Sequence, residues 1–332
     1  MTLLKRLNID SFLLLLIGAV IVASLLPARG DFAGGFSLAT ALAIALLFFL
    51  HGARLSPRVV LKGLTHWRLH LLIFASTFAL FPVLGLLIGL LPPTLLSPTL
   101  AMGVLFLCLL PSTVQSSIAF TSIAGGNVPA ALCSASASNI LGMFLTPLLA
   151  GLLMAGQGAG PGVSLEALGT ILAQLLAPFL LGQLLQRWIG GWVRRNKAWL
   201  SLVDRGAILM VVYLAFSEAM VAGLWSQLSL AGLATMAVVD CLLLAVVLAT
   251  TTWASRALGF AREDEITIIF CGSKKSLASG VPIANVLFSP QHVGSIILPL
   301  MLFHQLQLFV CAVLARRYAH RRVSRRPLSD DR

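Results

Sequence analysis

The chain has 332 residues, of which 58% are hydrophobic and only 10% charged, with a mean hydropathy of +0.97 and a formal net charge of +12. A soluble domain carries about 25% charged residues, so these values exclude a water-soluble globule and define an all-α polytopic membrane protein. In such a chain basic residues collect on cytoplasmic loops, and the positive charge is no sign of nucleic-acid binding.

Apolar runs and the breaks between them predict ten spans. The first is Ser11–Leu26, preceded by Lys5 and Arg6 and closed by Pro27. A cleavable leader ending near Ala28 and Gly30 is the competing reading of that stretch. Phe36–Leu50 is the second span, and a basic segment from His51 to His70 follows, with Arg54, Arg58, Lys62 and Arg68. The third, Leu69–Leu91, contains Pro82; the fourth, Pro98–Ala124, is interrupted at Pro111, Ser112 and Thr113. Gly125, Gly126 and Asn127 turn the chain into the fifth, Val128–Ala155. Beyond the Gly-rich stretch Gly156–Gly162 come Leu165–Trp188, Leu202–Trp225 and Leu230–Trp253. The ninth, Ile266–Phe288, is interrupted by FCGSKKSLASGVPI at Phe270–Ile283, and the tenth is Val293–Ala315. Alternating these spans from a cytoplasmic N-terminus puts 20 of the 23 basic residues on the cytoplasmic side, Arg29 outside, and Lys274 and Lys275 within the membrane. That distribution predicts both termini in the cytoplasm, and the six tryptophans at or near span ends agree with it.

The chain also reads as doubled. Residues 1–155 hold five spans, 156–164 form an extracytoplasmic linker, 165–315 hold five more, and 316–332 form a basic cytoplasmic tail. An odd number of spans per half inverts the second copy relative to the first. In each half the fourth span alone is polar and broken: LLPSTVQSSIAFTSIAGGN at Leu109–Asn127, and the double-lysine stretch. Paired breaks at matching places in inverted halves point to a transporter's binding site. Broken backbone survives at that depth only inside protein or against a polar cavity; a loop on the membrane surface is the alternative reading of Phe270–Ile283.

A broken helix exposes carbonyls at one end, which suit cations, and N–H groups at the other, which suit anions. Around the first break Ser112, Thr113, Gln115, Ser116 and Ser117 complete such shells, with Asn127 in the turn and Asn139 on the fifth span. Close helix packing is the alternative role for any one serine taken alone. Ser134 and Ser138 share a helix face and Ser136 does not. At the second break the candidates are Ser273, Lys274, Lys275 and Ser276. Adjacent helical positions point about 100° apart, so the lysines are expected to do different jobs. One would contact an anionic substrate; the other would pair with Asp240 or Glu218, or exchange a proton. A purely structural ion-pair network is the alternative. His304 is a further partner candidate or a packing residue, and His66 and His70 read as interfacial. Cys108, Cys133, Cys241, Cys271 and Cys311 lie in apolar stretches without a CxxC pair and read as reduced, buried hydrophobes, with no metal site and no cofactor.

The ten-span layout, the Gly-Asn turn after a polar broken fourth helix and the broken ninth helix resemble the bile acid:sodium symporter superfamily. FFLHGARLSP at Phe48–Pro57 and CGSKKSLASGVP at Cys271–Pro282 look more like its bacterial branch, which is similar to the vertebrate solute carrier family 10 member 7 group. The resemblance implies a panel domain of spans one, two, six and seven. Spans three to five and eight to ten would form a core, with broken spans four and nine crossing inside it and substrate between the domains. Its better-known members carry Glu-x-Gly-x-Gln-Asn at the ninth-span break. Matching the Gly to Gly272 puts Phe270 at the Glu and Lys274 at the Gln, while Ser117 and Thr77 fall at other sodium positions. The resemblance therefore carries sodium coupling only in part, and a lysine ammonium at Lys274 would stand in for the ion.

The expected function is a secondary active transporter of the bacterial inner membrane that moves an organic anion by alternating access. Sodium or a proton is the expected coupling ion, and the lipid bilayer the only other partner. A non-transporting regulator or sensor, with basic loops on anionic lipid, is the alternative. An intramembrane enzyme would need Cys271 or Ser273 beside Lys274 as nucleophile, and no HExxH or nucleophile-elbow pattern supports it.

Overall fold

The computed structural model describes residues 11–54, 66–154, 165–221 and 230–323, which are helical with short connections and no strand. Lys5, Arg6, Arg58, Lys62, the Gly156–Gly162 stretch, Trp225 and the chain beyond 323 lie outside the described residues.

Helices α1 (Ser11–Leu25) and α2 (Gly30–Arg54) open the chain. Next, α3 (Trp67–Ala75), a π-helical turn (Ser76–Leu80) and α4 (Phe81–Ile88) follow without interruption. The fourth predicted span divides into α5 (Pro98–Leu109) and α6 (Gln115–Ala124), parted by extended backbone at Leu110. Helix α7 (Val128–Met154) follows Gly125, whose φ of 76° is the left-handed cap that a Cβ disfavours. Then come α8 (Leu165–Arg195), α9 (Lys197–Val221) and α10 (Leu230–Ala257). The ninth predicted span divides into α11 (Arg262–Gly272) and α12 (Leu277–Leu287), and α13 (Pro290–Val323) closes the chain.

Six helices among the described residues are long and apolar enough to cross a membrane. With 11 residues each, α11 and α12 are too short to do so alone, since a span needs roughly 20. The same holds for α5 and α6, so each broken pair spans only as a pair. Several predicted boundaries move, and the sixth span continues to Arg195. The second span reaches from Gly30 to Arg54, and the last helix continues through Arg316 and Arg317 to Val323. Charged arginines continue a helix readily once it leaves the apolar layer, so the start of the expected tail is helical.

Helices α1, α2, α8 and α9 pack on one another, and the others form a second group, with α8 and α9 lying along α7, α12 and α13. The α2–α8 crossing is the closest approach in the first group. A Cβ on Gly52 would strike the Phe179 carbonyl, and one on Gly182 would strike the Phe49 carbonyl, so each helix meets the other's backbone through a glycine. Arg54 ties α2 to α9 through both guanidinium nitrogens on Asp204, at 2.6 and 3.2 Å. The first helix is part of this group, with Leu16 and Ala23 buried and the Tyr213 hydroxyl donating to the Leu26 carbonyl at 2.9 Å. Trp67, Trp188, Trp192, Trp199 and Trp253 are all at least 50% exposed, as interfacial indoles should be.

Gly52→Val should lower the melting temperature of the purified protein by the equivalent of about 3 kcal/mol, because the clash is with backbone that cannot rotate away. Gly206→Ala, on a helix face with open space around it, should leave it unchanged or raise it slightly. Thermal melts of the two variants check this.

Candidate functional site

Two broken helices leave two sets of orphan carbonyls deep inside the protein, and Ser112, Ser117, Ser273, Lys275 and Asn139 are spent on them. At the end of α11, four successive carbonyls are capped. Ile269 O accepts from the Ser273 backbone N–H at 3.2 Å and its hydroxyl at 2.6 Å. Phe270 O accepts from Ser117 Oγ at 3.0 Å, Cys271 O from Ser112 Oγ at 2.6 Å, and Gly272 O from Ser76 Oγ at 2.8 Å. Hydroxyls from the first break and the π turn thus cap the second break. Each such capped carbonyl avoids a desolvation cost of about 1–3 kcal/mol.

The reciprocal caps come from Lys275. Its ammonium donates to Thr77 O at 2.8 Å, Cys108 O at 2.8 Å and Leu110 O at 2.7 Å. It also sits 4.1 Å from the centroid of the Phe81 ring. Local sequence explains why those oxygens are free. The Phe81 N–H is diverted to Ser76 O by the π turn, and Pro82 has no N–H, so Thr77 O has no helical donor at i+4 or i+5. At the end of α5 the chain turns extended at Leu110, and the Ser112 N–H goes to Ser138 Oγ at 3.0 Å, which frees Cys108 O. Thr146 Oγ1 caps the remaining Leu109 O at 2.8 Å. The Lys275 backbone is clamped by one side chain: its N–H donates to Gln307 Oε1 at 2.8 Å, and its carbonyl accepts from Gln307 Nε2 at 2.9 Å. His304 Nδ1 lies 2.9 Å from that same amide nitrogen.

Lys274 does a different job, as adjacent positions should. It is fully buried, with Nζ 3.8 Å from the Phe120 ring centroid and 5.8 Å from that of Phe270. Among the described residues its ammonium has no hydrogen-bond acceptor. The expected pairing of one lysine with Asp240 or Glu218 is not made among the described residues, where the ion pairs are Arg54–Asp204 and Arg256–Glu265. Both Asp240 carboxylate oxygens are buried without a partner among the described residues. Carbonyls of α5 and the π turn meet the Lys275 amine first, so no carboxylate is needed to hold it. The ammonium that meets three backbone carbonyls is that of Lys275, one residue after the position the resemblance singled out. Thr77 Oγ1 donates to Ile73 O and Ser117 Oγ to Phe270 O.

The remaining candidates divide by place. Ser276 N-caps α12, accepting from Ser279 N at 3.2 Å, while its own N–H crosses to Pro111 O at 2.9 Å. Asn139 bridges the breaks, donating to Ser112 O at 2.9 Å and accepting from Ser279 Oγ at 2.7 Å. Thr113 and Ser116 pair at 2.6 Å beside exposed Gln115, at the start of α6. Asn127 is not brought to the crossing. It caps α7 and donates to Asp264 at 2.9 Å, a structural role at the helical turn. His70 faces inward, 2.6 Å from Ser134 Oγ, where an interfacial place was expected. Cys241 is exposed and Cys133 half-buried, against the expectation that all five cysteines are buried. Sequence reasoning missed Phe81 and Phe120; a phenylalanine in apolar sequence carries no mark of a cation above its face.

Residues 10–320 match the SBF-like CPA transporter family. The chain is 57% identical over 313 residues to "Uncharacterized protein PA2026" of Pseudomonas aeruginosa, covering 94% of each chain. It is 56% identical over 310 residues to "Putative symporter YfeH" of Escherichia coli, covering 93% of each. To "Sodium/bile acid cotransporter 7" of Rattus norvegicus it is 28% identical over 320 residues, covering 95% of this chain and 94% of the other.

Gln307→Leu should destabilise the protein by about 2 kcal/mol or more, since it strips partners from both a buried N–H and a buried carbonyl of Lys275. Ser122→Ala, on the exposed side of α6, should cost little. Melting curves of the two variants distinguish them.

Proposed function

The chain belongs to the SBF-like CPA transporter family, and on that premise we propose that it is a secondary active transporter for an organic anion, working by alternating access. It is a membrane transporter rather than an enzyme. The observation that carries the anion is Lys274, a fully buried ammonium without a hydrogen-bond acceptor among the described residues, beside the crossing of two broken helices. An unpaired cation in such a setting is costly, and an anionic substrate arriving during the cycle would offset that cost. Gln115, Ser116 and Asn139, which keep some exposure at the crossing, are the polar groups for a first contact. Ser112, Ser117, Ser273 and Ser276 hold the break in shape behind them.

Alternating access is supported by the division of the helices into two groups that meet along α7, α8, α9, α12 and α13. In this reading α1, α2, α8 and α9 are the panel and the others the core. The inverted-repeat reading is supported by the packing of α2 on α8 and of α1 on α9, since spans two and six of one pair correspond to spans seven and one of the other. The placement of the basic residues supports ten spans with both termini in the cytoplasm, here of a bacterial inner membrane. Sodium at Ser117 and Thr77 is not part of this reading.

In detergent, a panel of organic anions should include members that raise the melting temperature, by the equivalent of about 2.7 kcal/mol at a hundredfold excess over Kd. Lys274→Met should abolish that shift while the variant stays folded. A panel without effect would favour the non-transporting sensor instead.

A further inference from the structure

The Lys275 amine lies in a coordination shell that reads as an ion site. A lysine ammonium has three donors and no acceptor, and here each donor meets one backbone carbonyl, at 2.7–2.8 Å. The three oxygens come from two separate elements, the π turn and the end of α5, and neither supplies another donor for them. Phe81 closes a further side with its ring face, 4.1 Å from the nitrogen to the centroid. Backbone carbonyls that replace a hydration shell, with an aromatic face beside them, form a general receptor for a dehydrated monovalent cation. No carboxylate takes part, so the shell matches a single positive charge and offers little to a divalent ion, which takes hard anionic oxygens.

We propose that the carbonyls of Thr77, Cys108 and Leu110, with the Phe81 ring, form a monovalent-cation site whose permanent occupant is the protein's own Lys275 ammonium. The tether has two consequences. It fixes the crossing of the broken helices to the π turn at all times, where a free ion would do so only when bound. It also removes any need for sodium at this place, so the site is a structural clamp built on ion-site geometry. The N···O distances suit an ammonium or an ion of similar size; a smaller ion such as sodium would need the three carbonyls to close inward. This site stands on geometry alone and does not depend on the anion reading.

The test removes the tether. Wild-type protein should melt at the same temperature in sodium, potassium, ammonium and choline chloride at equal ionic strength. Lys275→Ala should melt lower, and saturating ammonium, methylammonium or potassium should restore about 5 °C relative to choline. Lys275→Met should be destabilised without any such rescue, because its side chain fills the channel that the small cation must occupy. A Lys275→Ala protein that responds alike to all these salts overturns the proposal. So does a sodium-specific rise in the wild-type protein, an outcome that needs no variant to fold. Where Lys275→Ala is too unstable to purify in choline, purification in ammonium should recover it, and failure in every salt counts against the site. Adding an organic anion to the same melts separates the two readings: an anion shift retained without a cation response leaves the transporter standing and removes the ion site.

Discussion

A helix that stops inside a membrane leaves its last carbonyls without water, and everything at the centre of this protein answers that one constraint. The two stopped helices, α5 and α11, end close enough to serve one another. Hydroxyls of Ser112 and Ser117 cross from the first break to Cys271 O and Phe270 O of the second. In return, Lys275 reaches from the second break to Cys108 O and Leu110 O of the first. Neither break is tolerable without the other, which makes the crossing a single unit.

The unit is also wired outward. Ser76 and Thr77 connect it to the π turn, Gln307 to α13, and Ser138, Asn139 and Thr146 to α7. The π turn is the least obvious of these links. Pro82 lacks an N–H and Phe81 bonds one residue too far back, so a carbonyl is aimed sideways from an otherwise continuous run of helix. Such turns recur at functional sites because they release backbone groups without ending the element.

The two lysines show how one dipeptide does two jobs. Lys275 is fully satisfied, its amine and its backbone both held. Lys274, one residue earlier, has aromatic faces only, an attraction that leaves its three donors unspent. The proposed transport cycle uses both kinds of group: one that keeps the crossing intact, and one whose environment would improve when an anion arrives.

Most of the helical layout was legible in the amino-acid order, because a run of apolar residues of spanning length has few other fates in water or lipid. The breaks at Pro111 and in the double-lysine stretch were legible for the same reason: polar, Gly- and Pro-bearing sequence at that depth cannot continue an ordinary span. What the order of residues could not decide was pairing. Ser112 and Cys271 are 159 positions apart, and nothing in either stretch specifies the other. Charge balance, the partner rule that composition makes visible, points one of the lysines to Asp240 or Glu218. Tertiary structure chose carbonyls for Lys275 and rings for Lys274, because backbone oxygens and aromatic faces occur throughout any sequence and become cation receptors only where the fold turns several of them toward one point.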